Sequence, residues 1–289
     1  MTVLQTIQKS AEFLAKRNVE SPRLQVECML AQILRLPRMQ LYLNFDTIVT
    51  GKDLDALRAM VVRRGKREPL QHILGTVCFC EWEFTVGPQA LIPRPETEIL
   101  AEMGWKWLDH RAASENRAPK ALDFGTGTGC LAIALVLKCR SSTVTAVDIS
   151  PEALALARLN AEKLGASSAI TFIQGRNLAC HTESSALDLI ISNPPYIPRK
   201  EIETLQPEVR EHDPRGALDG GEDGLDFYRL LAVEGRSKLA GGGRLMLEIG
   251  EGQAHPVRSI LESQMWVVES VTNDYSGRER FITAALRHE

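Results

Sequence analysis

The chain has 289 residues, 44% hydrophobic and 25% charged, with a formal net charge of −3. This apolar share is ample for a packed core and excludes wholesale disorder, and the length points to two domains. The small net charge argues against a chain wrapped around nucleic acid, and no run approaches the roughly 18 apolar residues that would cross a bilayer.

Residues 1–75 read as helices. Leu4, Ile7, Ala11 and Leu14 recur at helical spacing. Ser21-Pro22 reads as an N-cap followed by a first-turn proline, leading into Leu24, Cys28, Ala31 and Leu34, and Pro37 closes that helix. Thr50-Gly51-Lys52-Asp53 resembles a capping box ahead of Leu54, Leu57, Val61 and Val62. Gly75 ends the bundle. From residue 76 to 93 the pattern alternates, with β-branched and aromatic residues in Thr76–Cys80 and Glu81–Val86 and a turn at Gly87-Pro88. A β-hairpin linker is expected here. Pro93 and Pro95 stiffen its exit, Glu96 opens another helix, and 111–119 reads as a polar, loop-like insert. Beyond it, strands are expected at 120–124, 143–147, 169–174, 187–192, 243–249, 265–271 and 279–286, with helices near 128–139, 150–164, 224–239 and 252–263. Such alternation predicts an α/β fold with a parallel sheet covered on both faces. The short loop Asn273 to Gly277 predicts an antiparallel end to that sheet.

Charge is unevenly spread. Residues 1–75 hold twelve Lys/Arg and seven Asp/Glu, a surplus of +5, and the remainder holds 22 and 30, a deficit of −8. Arg63, Arg64, Lys66 and Arg67 form one cluster, which reads either as a solvated helix end or as a docking surface for an acidic partner. The six cysteines stand at 28, 78, 80, 130, 139 and 180. Only Cys78 and Cys80 are close, and on a strand their thiols would face opposite ways. No zinc spacing follows, so reduced, buried thiols in a cytoplasmic protein are expected, with no metal. The N-terminus places Glu12 before any apolar block, unlike a signal or transit peptide.

Ala121-Leu-Asp-Phe124 is a short strand running into Gly125-Thr126-Gly127-Thr128-Gly129 and an apolar helix. In open α/β sheets this first turn is where a ligand meets the backbone. Cys130 stands where the dinucleotide fingerprint needs its third glycine, and the Gly-Lys-Ser/Thr of a P-loop is missing. A nucleoside cofactor without pyrophosphate suits this spacing, and S-adenosylmethionine is the leading candidate. Asp148 ends the next strand and can accept both ribose hydroxyls, although an ordinary cap before Ser150-Pro151 would look the same. Asn177, after the third strand, sits where such folds contact adenine.

The fourth strand delivers Asn193-Pro194-Pro195-Tyr196. Two prolines remove two backbone donors and leave carbonyls free to accept. Asn193 adds a neutral side-chain carbonyl and Tyr196 a flat face. Two acceptors and a ring describe a clamp for a planar –NH2 group, either a carboxamide or an exocyclic amine. Such a clamp holds a weakly nucleophilic nitrogen in line with a methyl sulfonium. Asn193 is counted both with the clamp and with the cofactor-facing residues.

These residues resemble the protein-(glutamine-N5) methyltransferases that modify peptide chain release factors, the PrmC or HemK family. Leu91-Ile-Pro-Arg-Pro-Glu-Thr-Glu98, Arg67–Gly75, Pro214–Arg229 and Asp274–Phe281 resemble further signatures of that family. The resemblance implies a class I S-adenosylmethionine-dependent methyltransferase, Rossmann-like with a seven-stranded sheet, after a small N-terminal helical bundle. The expected division is 1–75 for substrate docking, 76–95 for the hairpin linker and 96–289 for catalysis. It implies a glutamine substrate in the Gly-Gly-Gln loop of release factors 1 and 2. It also implies that Gly125 to Gly129 and Asp148 bind the cofactor, that Asn193 and Pro194 hold the carboxamide, and that Tyr196 packs on it. No direct nucleic-acid contact, no membrane and a monomer are expected. The rival reading, an N6-adenine nucleic-acid methyltransferase using the same clamp, would want a basic channel, whereas the catalytic part is acidic. Two further alternatives are the same chemistry on a different protein substrate and a protein that binds the cofactor without transferring methyl, the intact tetrapeptide speaking against the last. Arg94, Glu96 and Glu98 read equally as cofactor-closing residues or a capped helix start, and Arg278 and Arg280 as braces of the last strands ahead of a substrate-binding role.

Overall fold

A computed structural model describes residues 1–181 and 186–287. The chain forms two compact units, one comprising Met1–Thr76 with Gln206–His212, the other Val77–Leu205 with Asp213–Glu289.

The first unit carries α1 (Val3–Ala15), α2 (Pro22–Leu34), a 3₁₀ segment (Arg38–Asn44), α3 (Gly51–Gly65) and α4 (Leu70–Leu74). Val3, Ile7, Leu14, Val26, Met29, Leu30, Leu41 and Leu57 form its core. Thr2 and Gln5 make a full capping box at α1, which the sequence reading passed over. Ser21 precedes α2 in the left-handed region (φ 46°) and makes no side-chain cap. Thr50 makes half a box, because the Asp53 carboxylate bonds the Thr50 hydroxyl instead of the backbone. Gly75, at φ 77°, closes α4.

A hairpin of β1 (Thr76–Phe79) and β2 (Trp82–Thr85) opens the second unit, all but Thr76, its first residue, lying in that unit. Cys80 and Glu81 form its turn, both left-handed (φ 48° and 77°), as a tight two-residue hairpin turn requires. Cys80 is therefore buried in a turn and not on a strand, and Cys78 is exposed, against the expectation of buried thiols throughout. Burial pushes the Cys80 thiol up to about 12. α5 (Thr97–Glu115) continues through residues 111–115, where a loop was expected. Arg111 holds that last turn in place by pairing with Glu115 and with the buried Asp188.

The sheet consists of β3 (Lys120–Phe124), β4 (Thr143–Asp148), β5 (Ile170–Gln174), β6 (Leu187–Ser192), β7 (Leu239–Glu248), β8 (Trp266–Asn273) and β9 (Glu279–Leu286), in the order β5-β4-β3-β6-β7-β9-β8. Neighbours from β5 to β7 are parallel, and β9 runs antiparallel to both β7 and β8. This is the seven-stranded sheet with the antiparallel end read from the sequence. Helices α6 (Cys130–Lys138) and α7 (Pro151–Lys163), a short α8 (Pro207–Arg210), α9 (Asp226–Glu234) and α10 (Ala254–Ser263) complete the element order. One core gathers Leu100, Leu108, Leu131 and Leu135 with Phe79 and Phe84 of the hairpin, and the other gathers Tyr228, Leu231, Val257, Leu261 and Trp266. The helix at 226 ends at Glu234, short of the expected 239, because Gly235 lies under Trp266 and a 3₁₀ turn follows. That frees Leu239 to pair with Leu187, so β7 starts four residues earlier than 243. Among the described residues no helix is long and apolar enough to cross a membrane.

α8 belongs to the first unit. There Arg67 donates to Glu208 through Nε (2.7 Å) and Nη2 (2.6 Å), and Arg64 through Nη2 (2.7 Å). Arg64 is only 4% exposed and also donates to Gln25. Arg63 pairs with Glu68. Both sequence readings of the basic cluster therefore give way for Arg64 and Arg67, which are consumed inside the unit, whereas Arg63 stays exposed in the last turn of α3, as the helix-end reading has it. Burial works against the Glu208 charge, yet the Arg67 and Arg64 hydrogen bonds outweigh it and hold the carboxyl below its ordinary value.

Candidate active site

The carboxyl ends of four parallel strands carry the residues singled out in the sequence. The glycine loop follows β3, Asp148 ends β4, Asn177 follows β5 and Asn193 follows β6. Open α/β sheets bind ligands at this edge. The Gly125 and Thr126 N–H groups both donate to Val147 O (2.8 and 2.9 Å), which ties the loop to β4. Gly125, Gly127 and Gly129 all have positive φ (73°, 54° and 82°), a conformation other residues rarely adopt. A Cβ on Gly125 would meet nothing, so the rim of the loop stays bare.

Asp148 accepts from the Gly127 N–H through Oδ2 (2.8 Å) and from the Ser150 N–H through Oδ1 (2.9 Å). Each oxygen keeps a further lone pair. Asn160 braces the loop from α7. Its Nδ2 donates to Thr128 O and Thr85 O (both 3.0 Å), and its Oδ1 accepts from the Thr85 N–H (2.8 Å). Asp123, not singled out in the sequence, is fully buried in β3. Its Oδ2 accepts from Thr126 Oγ1 (2.6 Å) and from the Ala132 N–H (3.2 Å), whereas Oδ1 has no partner among the described residues. Burial pushes this carboxyl up to about 7. A bare glycine rim, the spare lone pairs of Asp148 and the unpartnered Asp123 Oδ1 fit a nucleoside cofactor that carries cationic groups. Asn177 is extended ahead of a 3₁₀ turn, Leu178–Cys180, and its backbone carbonyl accepts from Cys180 Sγ at 2.9 Å.

The tetrapeptide leaves β6, every residue of which is buried. Ser192 Oγ donates to Phe124 O (2.6 Å), joining the ends of β6 and β3. Asn193 Nδ2 donates to Thr97 Oγ1 (3.1 Å), and Thr97 Oγ1 donates to Glu248 Oε2 (2.7 Å). Pro194 is buried, and Pro195 and Tyr196 are half-buried. Gln253 Nε2 donates to Tyr196 O (2.9 Å), and burial pushes the Tyr196 hydroxyl up to about 12.

The run Pro214–Arg229 backs this loop. The Ile197 N–H donates to Leu218 O (3.0 Å), the Gly220 N–H to Ile197 O (2.9 Å) and the Arg199 N–H to Gly221 O (2.8 Å). A Cβ on Gly220 would lie 2.9 Å from Pro195 O, so only glycine permits the approach.

Thr97, Glu248, Gln253, Ser192 and Gly220 escaped the sequence reading as site residues. Thr97 and Gly220 do lie within quoted signatures, but their partners are far off in the chain. Of the two readings of 94–98, the helix start is right in place but not in bonding, since Glu96 stands at the N-cap of α5 and Glu98 in its first turn without a side-chain cap. Arg94 Nη2 pairs with Asp213 Oδ2 (2.6 Å), Glu98 accepts from the Cys80 N–H (3.0 Å) and so holds the hairpin turn, and Glu96 caps nothing. Arg280 does brace the sheet end, donating to Ile249 O (3.1 Å), and Arg278 pairs with Glu251 (3.1 Å).

Residues 5–75 match the family model described as the PrmC N-terminal domain, and residues 107–209 match the Methyltransferase small domain. A Geobacter sulfurreducens protein named release factor glutamine methyltransferase is 43% identical over 281 residues, covering 97% of this chain and 95% of its own. A Deinococcus radiodurans relative of the same name is 41% identical, covering 94% of each chain. One from Moorella thermoacetica is 36% identical and covers 100% of each. Among solved structures, the hMettl16 catalytic domain in complex with MAT2A 3'UTR hairpin 6 aligns with a TM-score of 0.55 at 15% identity, over 81% of this chain and 83% of that one. That likeness concerns the fold alone.

Proposed function

Because the chain belongs to the release factor glutamine methyltransferase family, we propose that it methylates the side-chain nitrogen N5 of the glutamine in the Gly-Gly-Gln loop of peptide chain release factors 1 and 2. The observation that carries this reading is the Asn193 carboxamide, whose Nδ2 is already engaged by Thr97. Its oxygen is thereby left to accept from a planar –NH2 group.

S-adenosylmethionine supplies the electrophilic methyl when bound. Gly125, Thr126, Gly127, Thr128, Gly129 and Asp148 are the residues to hold it, with Asn177 toward the adenine and Asn193 beside the reacting centre. Asn193 Oδ1 and the Pro194 carbonyl accept the two amide hydrogens and localise the nitrogen lone pair. Pro195 stiffens the loop, and Tyr196 packs on the carboxamide face. A neutral asparagine here avoids a carboxylate that would trap a sulfonium as a ground-state ion pair. Residues 1–75 serve docking, 76–95 link and 96–289 catalyse, apart from Gln206–His212, which pack with the docking unit. The enzyme works as a cytoplasmic monomer, with the helical unit contacting the release factor away from its Gly-Gly-Gln loop.

The test is incubation with methyl-labelled S-adenosylmethionine and either release factor or DNA, followed by peptide mass mapping. Label on the loop glutamine is expected. Label on adenine, or on neither substrate, overturns the reading.

A further inference from the structure

We propose that Thr97 and Glu248 are positioning residues for Asn193, a hydrogen-bond chain whose direction is set by the buried Glu248 carboxylate and which turns the Asn193 oxygen toward the substrate amide. Thr97 and Glu248 are each 2% exposed, and no other side chain hydrogen-bonds to Thr97 among the described residues. An ionised carboxylate only accepts. Thr97 therefore commits its single O–H to Glu248, and its oxygen can only accept from Asn193. Asn193 must then present its NH2 to Thr97, with Oδ1 at the opposite end of the amide. Protonating Glu248 removes this constraint, since a carboxylic acid can donate to Thr97 and let the hydroxyl point the other way.

The groups around Glu248 make that change accessible. Burial raises its carboxyl to about 7, with Glu96 adding to the rise and the Thr97 hydrogen bond, Arg280 and Arg94 opposing it. The Tyr196 and Tyr228 hydroxyls also face it, and both are held neutral by burial. Tyr228 additionally donates to the Glu248 backbone carbonyl (3.0 Å), which fixes the strand end that carries the carboxylate.

The inference rests on the proposed glutamine reaction, and its test separates the two. Full-length wild type, Thr97→Val, Thr97→Ser and Glu248→Gln are compared for kcat, KM for release factor and Kd for S-adenosylmethionine. Thr97→Val keeps the shape of the side chain without its hydroxyl, and a fall in kcat of about 10²-fold is expected, with the cofactor Kd within about twofold of wild type. Thr97→Ser restores the hydroxyl and recovers most of the loss. Wild-type kcat declines as pH falls through about 7, and Glu248→Gln loses that limb. Unchanged kcat in Thr97→Val, equal losses in kcat and cofactor affinity, a Thr97→Ser variant as impaired as Thr97→Val, or a Glu248→Gln profile that keeps the acid limb each overturns the positioning role. If wild type itself labels no glutamine, the proposed function falls and this inference with it.

Discussion

In the proposed reaction Asn193 is a weak acceptor where a stronger one would be wrong. A carboxylate would accept more strongly but would pair with a sulfonium before reaction, and only interactions stronger in the transition state raise kcat. Asn193→Ala is expected to lower kcat by about 10²- to 10³-fold, while cofactor affinity measured by calorimetry stays within about twofold. Equal losses in both would contradict the clamp. Asn193 to Tyr196, the glycines of the first loop and Asp148 could be read from the sequence because each is a local pattern, placed at a strand end by a few neighbours in the chain. Thr97 and Glu248 could not be, since 151 residues separate them and only the sheet brings them together. A glutamate ending a strand carries no mark of burial in its own neighbourhood.

At the scale of elements, periodicity located all seven strands of the sheet, because the central ones are buried apolar runs and the edge strands β5 and β8 are rich in β-branched and aromatic residues, all bounded by turn residues. What misled it were residues whose partners lie far off in the chain. Arg111 looks like a loop residue until Asp188, 77 positions later, is placed beside it. Gly235 looks like helix interior until Trp266 is stacked over it. Asn160 is a similar case, a polar residue inside α7 that substitutes for a strand partner of β2 and steadies Thr128 of the glycine loop. Asn160→Leu leaves the Thr128 carbonyl unpaired in a buried setting and the Thr85 N–H and carbonyl unpaired in a partly buried one. A loss of about 3 kcal/mol in urea unfolding is expected, together with weaker cofactor binding, because the loop it braces loosens. Full stability in this variant would mean that the hairpin is held by other contacts.

For the whole molecule, the charge imbalance persists once the chain is divided by packing instead of by order. The unit with Met1–Thr76 and Gln206–His212 holds thirteen Lys/Arg and nine Asp/Glu, a net +4, and the rest of the chain is −7. Arg64 and Arg67 of the cluster are spent internally, so any long-range attraction falls to exposed residues such as Lys9, Lys16, Lys52 and Lys66. Raising ionic strength is expected to raise KM for release factor while kcat holds, and a KM indifferent to salt would remove electrostatics from docking. The Arg64–Glu208–Arg67 cluster has a separate signature. Its carboxyl sits below the ordinary value in the folded chain, so its stabilising contribution is complete above the unfolded value and fades as pH falls through the folded one. Glu208→Gln leaves a nearly buried Arg64 without its counter-charge. This variant is expected to be less stable by about 3 kcal/mol at pH 7, with the difference from wild type narrowing toward pH 3 in thermal melts. A constant gap across that range would assign the effect to packing instead.

The return of Gln206–His212 to the helical unit has a genetic consequence. The unit is written in two stretches of the gene, separated by more than a hundred codons that encode the glycine loop and the tetrapeptide. Recombination that swaps only the first stretch between relatives would pair one lineage's arginines with another's α8. Such a hybrid inherits a mismatch that neither parent carries, unless Glu208 or an equivalent acid travels with it.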